Sequence, residues 1–77
     1  MRQVVLYGAP GCHLCEEAAQ AIGRLRLGTA FAYCEVDIHT DPELERRYLL
    51  EIPVVSVDGV VVASGRVEPE ALRAALR

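Results

Sequence analysis

Residues 3–18 read QVVLYGAPGCHLCEEA, and the order of patterns within this stretch decides the fold. Gln3 to Tyr7 is a nearly unbroken apolar run rich in β-branched residues, which suits a central strand covered on both faces. Gly8-Ala9-Pro10-Gly11 interrupts it. From Cys12 to Leu27 the period becomes helical. Leu14, Ala18, Ala21, Ile22 and Leu25 recur at spacings of three and four, and Glu16, Glu17, Gln20 and Arg24 take the opposite side. Acidic residues near the start and Arg24 and Arg26 near the end complement the helix dipole. Gly28 is placed to end the helix.

Working outward, Ala30–Asp37 reads as a second strand. A strand–helix–strand unit makes the two strands parallel, with a right-handed crossover. Thr40-Asp41-Pro42-Glu43 is a helix start with a capping box between Thr40 and Glu43. That helix is expected to run to Leu50, with Leu44, Tyr48 and Leu49 facing inward. Pro53 opens a third strand, Val54–Val57, because proline fits a strand only at its first residue or an edge. Asp58-Gly59 signals a two-residue hairpin turn, and Val60–Ala63 returns as the fourth strand. Glu68-Pro69-Glu70 starts a last helix with Leu72, Ala75 and Leu76 on its apolar stripe. The expected class is α/β, in the order β-α-β-α-β-β-α, with a four-stranded mixed sheet flanked by helices.

Seventy-seven residues, 52% of them apolar, imply one domain over 1–77 and exclude a disordered chain. A net charge of −3 lacks the basic footprint of a nucleic-acid binder. No apolar run approaches the roughly 18–20 residues of a membrane span. Met1-Arg2-Gln3 leads directly into strand one without a signal-peptide layout, so a cytoplasmic location is expected. All eight basic side chains are arginine.

Three cysteines are an odd count and two of them lie only three apart, whereas a disulfide scaffold would show an even, dispersed set. Cys12 and Cys15 instead bracket the first helical turn. There the unpaired N–H groups and the positive dipole end favour thiolate over thiol at Cys12. Cys12 would lie at the exposed lip, ready to attack a disulfide. Cys15, almost one turn further in, would then resolve the mixed disulfide. Glu16, four residues after Cys12, opposes the thiolate. A protonated His13 would favour it, and no lysine or arginine lies within Gly8–Leu14. The same pair could instead carry a metal or iron–sulfur cluster. Such sites need about four ligands, so two would have to come from elsewhere, as across a dimer. No tightly bound metal is therefore expected. A haem attachment motif would need histidine where Glu16 stands. A third reading is a binding module without turnover, against which the intact pair argues. Cys34, mid-strand among apolar residues, reads as a small buried hydrophobe, with a regulatory thiol as the alternative.

LYGAPGCHLCEEA (6–18), EVDIHTDPEL (35–44) and EIPVVSVDG (51–59) together resemble the glutaredoxin-like branch of the thioredoxin superfamily, in particular its short bacterial members, across Val4–Leu76. The resemblance implies a thioredoxin-like, glutaredoxin-type fold. It also implies a thiol–disulfide oxidoreductase in which Cys12 is the nucleophile and Cys15 the resolving thiol. Pro53 matches the family's cis-proline beside the pair, and the Ile52 backbone would pair with an extended substrate segment. Pro10, Gly11 and His13 around the pair, and Gly65 and Arg66 before the last helix, complete the implied substrate-binding set. Substrates would be a disulfide-containing protein or a glutathione mixed disulfide. Electrons would come from glutathione or a flavoprotein reductase. No cofactor is held tightly, with glutathione as a possible co-substrate, and a monomer is expected. Several positions depart from the family pattern. His13 stands where proline is usual, Ala9 where a basic residue is frequent, and Ser64-Gly65 in place of Gly-Gly. Glu68 is the nearest acid to the implied glutathione site. Thioredoxin's tryptophan and buried acid are both missing.

Overall fold

A computed structural model describes all of residues 1–77. Its elements are β1 (Gln3–Gly8), α1 (His13–Arg26), β2 (Ala32–Asp37), a single 3₁₀ turn (Ile38–Thr40), α2 (Pro42–Tyr48), β3 (Val54–Val57), β4 (Val60–Ser64) and α3 (Pro69–Ala75). The expected element order and mixed four-stranded sheet are both present. The sheet runs β2-β1-β3-β4, with β1 parallel to β2 and antiparallel to β3, and β3 antiparallel to β4.

The apolar run of β1 takes an interior strand, as its composition requires. Val4, Leu6 and Gly8 are buried, and the alternate residues Val5 and Tyr7 are half-buried. Registers Val4↔Val57 and Leu6↔Val55 place these four side chains on one face. Ala18 and Ile22 of α1, Phe31 and Leu72 of α3 close the main core over that face. On the other face α2 seats Tyr48 against Tyr7, with ring centroids 5.1 Å apart. No helix is long and apolar enough to cross a membrane.

Several local expectations are corrected. β2 begins at Ala32 rather than Ala30, because the N–H groups of Leu27, Gly28 and Thr29 are still closing α1 onto Arg24 and Leu25 carbonyls. Gly28 does not adopt a positive φ, so α1 ends without a left-handed glycine. Leu14 is 39% exposed. It precedes Cys15 by one residue and is rotated about 100° from it around the helix. Residues 38–40 form the 3₁₀ turn, which delays α2. Its cap is therefore Asp41, accepting from the Glu43 N–H at 2.9 Å, while the Thr40 hydroxyl donates to the Asp37 carbonyl. α2 stops at Tyr48. Leu44 and Tyr48, four apart, form its half-buried stripe, and Leu49 falls outside it at 49% exposure. Cys34 is exposed, not buried. It faces the Val5 side of β2, which is an edge strand, and α2 leaves that edge open.

The hairpin turn has positive φ at both Asp58 and Gly59, the geometry that matches strand twist in a two-residue loop. Asp58 also ties the turn to β1. Its carboxylate accepts from the Gln3 N–H at 2.9 Å and from the Arg2 guanidinium at 3.0 Å. The Gln3 hydrogen bond, helped by Arg2, holds the Asp58 carboxyl below the ordinary carboxylate range. Such a group stabilises the fold above that range and loses its contribution as pH falls through it. Asp58→Asn keeps a residue that tolerates positive φ. It should flatten the stability profile below about pH 4, read as denaturant midpoints at pH 6 and pH 3. An unchanged slope would show that Asp58 is not the titrating tie.

Candidate active site

The turn between β1 and α1 is built around Gly11, whose φ of +79° is one that residues with a Cβ rarely adopt. Cys12 follows as the N-cap of α1 in extended conformation. Its N–H bonds the Ala9 carbonyl, its carbonyl takes the Glu16 N–H, and its sulfur accepts the Cys15 N–H at 3.2 Å. The sulfur thus stands in the place an oxygen cap normally fills, at the positive end of the helix. Cys12 and Cys15 are joined in a disulfide, with Cα atoms 5.2 Å apart. Cys12 is half-buried, whereas Cys15 is only 7% exposed.

Gly8 decides that difference, and its role was not read from the sequence. A Cβ at position 8 would lie 3.1 Å from the Cys15 sulfur and 3.2 Å from its Cβ. A side chain at position 8 would therefore press on Cys15 and require it to give by a few tenths of an ångström, so glycine at the end of β1 leaves Cys15 its room against the sheet. The available signal was a glycine closing a strand that feeds a cysteine loop.

Pro53 is buried, and the Ile52–Pro53 bond is cis, as the resemblance implies. Tyr7 pairs with Val54, so the next step of the same antiparallel register sets Pro53 opposite Gly8. The proline and the cysteine pair thus flank the same glycine. The Ile52 N–H already donates to the Tyr48 carbonyl at 3.0 Å, and its own carbonyl has no partner within the chain. An incoming extended segment would find that carbonyl, not the N–H. Gly65, with a φ of +73°, donates its N–H to the Glu51 and Pro53 carbonyls and so belongs to the same corner.

The other implied residues lie further out. The His13 imidazole is directed along the helix to Glu17, with Nε2 to Oε2 at 3.1 Å. Arg66 lies with Arg24, Glu17 and Glu68 around an open, polar depression of about 470 Å³ between α1 and α3, which neither cysteine lines. Pro10 lines a second, more apolar cleft of about 360 Å³ beside Cys15. No three histidine, cysteine or acidic side chains gather as a metal site would require.

Comparison with known proteins gives a consistent picture. Residues 3–77 match the family model described as Glutaredoxin-like domain (DUF836). The solution structure of protein Ne2328 from Nitrosomonas europaea superposes with a TM-score of 0.86 at 27% identity, over 99% of this chain and 92% of that one. The crystal structure of XcR50 from X. campestris superposes with a TM-score of 0.73 at 31% identity, over 95% and 93%. A mutant thioredoxin from Halobacterium salinarum shares the fold at 20% identity, with a TM-score of 0.73 over 97% of this chain and 71% of that one. No curated protein matches the chain at a significant level. The architecture is thus a thioredoxin-type fold, and the match to a glutaredoxin-like family together with the Cys12–Cys15 pair at the helix start supports a thiol redox role.

Proposed function

The chain belongs to the glutaredoxin-like domain family over residues 3–77, and from that premise we propose that it is a small thiol–disulfide oxidoreductase working through Cys12 and Cys15. The observation that carries this reading is the asymmetry of the pair. One sulfur caps the helix and accepts the Cys15 N–H, and the other is packed against Gly8.

In the reduced protein the Cys12 thiolate attacks a substrate disulfide. A Cys12–substrate disulfide forms, and the second substrate sulfur leaves as a thiolate and takes up a proton. Cys15, deprotonated, then attacks the Cys12 sulfur. The Cys12–Cys15 disulfide closes, the remaining substrate thiol departs, and two electrons have passed to the substrate. The Cys15 N–H and the helix terminus stabilise negative charge on Cys12 and so favour the thiolate that makes the first attack. Glutathione or a flavoprotein reductase would return the two electrons. Protein disulfides and glutathione mixed disulfides are the proposed substrates, and a cytoplasmic monomer is the proposed form. The cluster-carrier alternative would have to draw its further ligands from outside this chain.

The test is reduction of insulin and of a glutathione mixed disulfide, joined to a redox titration in glutathione buffer read by mass spectrometry. Turnover of at least one substrate and a reversible two-electron Cys12–Cys15 couple are expected. Failure of both would overturn the reading. Glu16 occupies the first turn of α1 beside the pair, and its negative charge opposes a Cys12 thiolate. Glu16→Gln should therefore raise the thiolate fraction at neutral pH by about two- to threefold for an exposed pair, followed by thiolate absorbance.

A further inference from the structure

Strand order puts β3 and Pro53 on one side of β1 and the edge strand β2 on the other. The apolar cleft of about 360 Å³ opens on the β2 side, between β2 and α1, with Cys15 in its wall. Its origin lies in the register and in small residues. Leu6↔Glu35 and Gly8↔Asp37 turn Glu35 and Asp37 onto the face that α1 covers. Gly8 has no side chain and Ala19 ends at a methyl, so space remains above them. Leu6, Ala9, Pro10 and Val36 make the rest of the wall mostly apolar.

The rim is acidic. Of the eleven carboxylates of the chain, Asp58, Glu43 and Glu70 pair with arginines, and Glu17 and Glu45 each contact a histidine. Glu16, Glu35 and Asp37, around this cleft, pair with no arginine or histidine side chain, and no basic residue lines it. Glu35 accepts the Tyr33 hydroxyl at 2.9 Å, and Asp37 accepts the His39 N–H at 2.9 Å. Both carboxylates are therefore held in place with acceptor capacity to spare. Burial, and after it the Glu35 contact, pushes the Tyr33 phenol well above its ordinary range, so that donor keeps its proton. Cys15 lines the cleft and Cys12 does not, but Ala9 and Pro10 in its wall lead directly into Gly11 and Cys12, so the cleft lies beside the loop that carries the reacting sulfur.

We propose that this cleft seats the flank of a disulfide-bonded client polypeptide, with an apolar side chain over Gly8 and Ala19 and an arginine or lysine on the Glu16–Glu35–Asp37 rim. The proposal rests on the thiol–disulfide reading above and names its substrate class. The chemistry is unchanged: two electrons pass from the Cys12/Cys15 thiols to the client disulfide.

The experiment uses two peptides, each with one cysteine disulfide-bonded to thionitrobenzoate, flanked by Leu-Arg or by Leu-Glu. Attack by the reduced protein releases thionitrobenzoate, which is followed by absorbance. The Leu-Arg peptide should react about tenfold faster at low salt and about twofold faster at 0.5 M salt, as expected for exposed charges. Glu35→Gln should cut the preference about threefold. Ala19→Leu, which fills the cleft, should slow both peptides several-fold while leaving bis(2-hydroxyethyl) disulfide reduction unchanged. In a second arm, the cysteine-free Leu-Arg peptide is titrated into the oxidised protein. The amide resonances of Gly8, Ala19 and Val36 should move. Disulfide reduction with no Arg preference and no shift at these amides overturns the cleft and spares the redox reading. Binding with Arg preference but without reduction of any disulfide overturns the redox reading and spares the cleft.

Discussion

Cys12→Ser is expected to lower disulfide reduction by at least about a thousandfold, equivalent to about 4 kcal/mol of barrier. Cys15→Ser is expected to arrest the reaction at a trapped mixed disulfide. The difference follows from where the two sulfurs sit. Cys12 caps α1 and is half-buried at the end of the loop, so it is the sulfur a substrate reaches. A serine hydroxyl there is not ionised at neutral pH and cannot replace the thiolate as nucleophile. Cys15 is 7% exposed against Gly8, within reach of Cys12 but shielded from a bulky substrate. Serine at 15 keeps the backbone N–H that the Cys12 sulfur accepts, so attack should proceed and only release should fail. Mass spectrometry of Cys15→Ser after mixing with an oxidised protein substrate should find a covalent adduct that an external dithiol removes. Full activity in Cys12→Ser would sink the assignment of the nucleophile. An adduct on Cys34 in place of Cys12 would move the chemistry to the exposed thiol on β2.

The second large effect concerns stability. Leu72→Ala should cost about 3 kcal/mol, in the middle of the range for buried leucine truncations. α3 has seven residues, and Leu72, at 1% exposure, is its one fully buried side chain. It joins Ile22, Val4 and Val55 in the main core. Helices this short do not persist alone in water, so losing the peg should loosen the whole segment, not only open a cavity. Small domains have about 5 kcal/mol or a little more to lose. At roughly 4–8 °C per kcal/mol for a chain of this size, the melting temperature should fall by about 15 °C, read by circular dichroism. Leu50→Ala is the control: Leu50 is 97% exposed and should stay within about 0.5 kcal/mol. A Leu72→Ala loss no larger than the control's would show that α3 is anchored by other contacts.

How far the sequence carried varies with the range of the interaction. The β1 run, the helical period of α1, the Asp58-Gly59 turn and the position of the cysteine pair depend on neighbours within a few residues, and all four are present in the fold. Thr40 and Asp41 compete for the same cap, and the 3₁₀ turn that takes up Thr40 decided for Asp41. Leu14, Leu49 and Cys34 went wrong for a shared reason. Each is an apolar or thiol side chain in or at the end of a regular element, and whether it is covered depends on what lies above it. Cys34 reads as core in any strand that is interior, and β2 is an edge strand.

By itself the sequence determined a strand feeding a helix whose first turn carries two cysteines. That was enough to place a sulfur at a helix terminus, because turn chemistry and helical period act locally. The tertiary structure alone decided which sulfur is shielded, through the approach of Cys15 to Gly8. It also brought Ile52-Pro53 to one side of that glycine through the β1–β3 register. On the other side it gathered Glu16, Glu35 and Asp37 around one cleft. These are residues up to 45 apart in the chain, from Gly8 to Pro53. Strand order and register set their proximity, and local pattern carries no information about either.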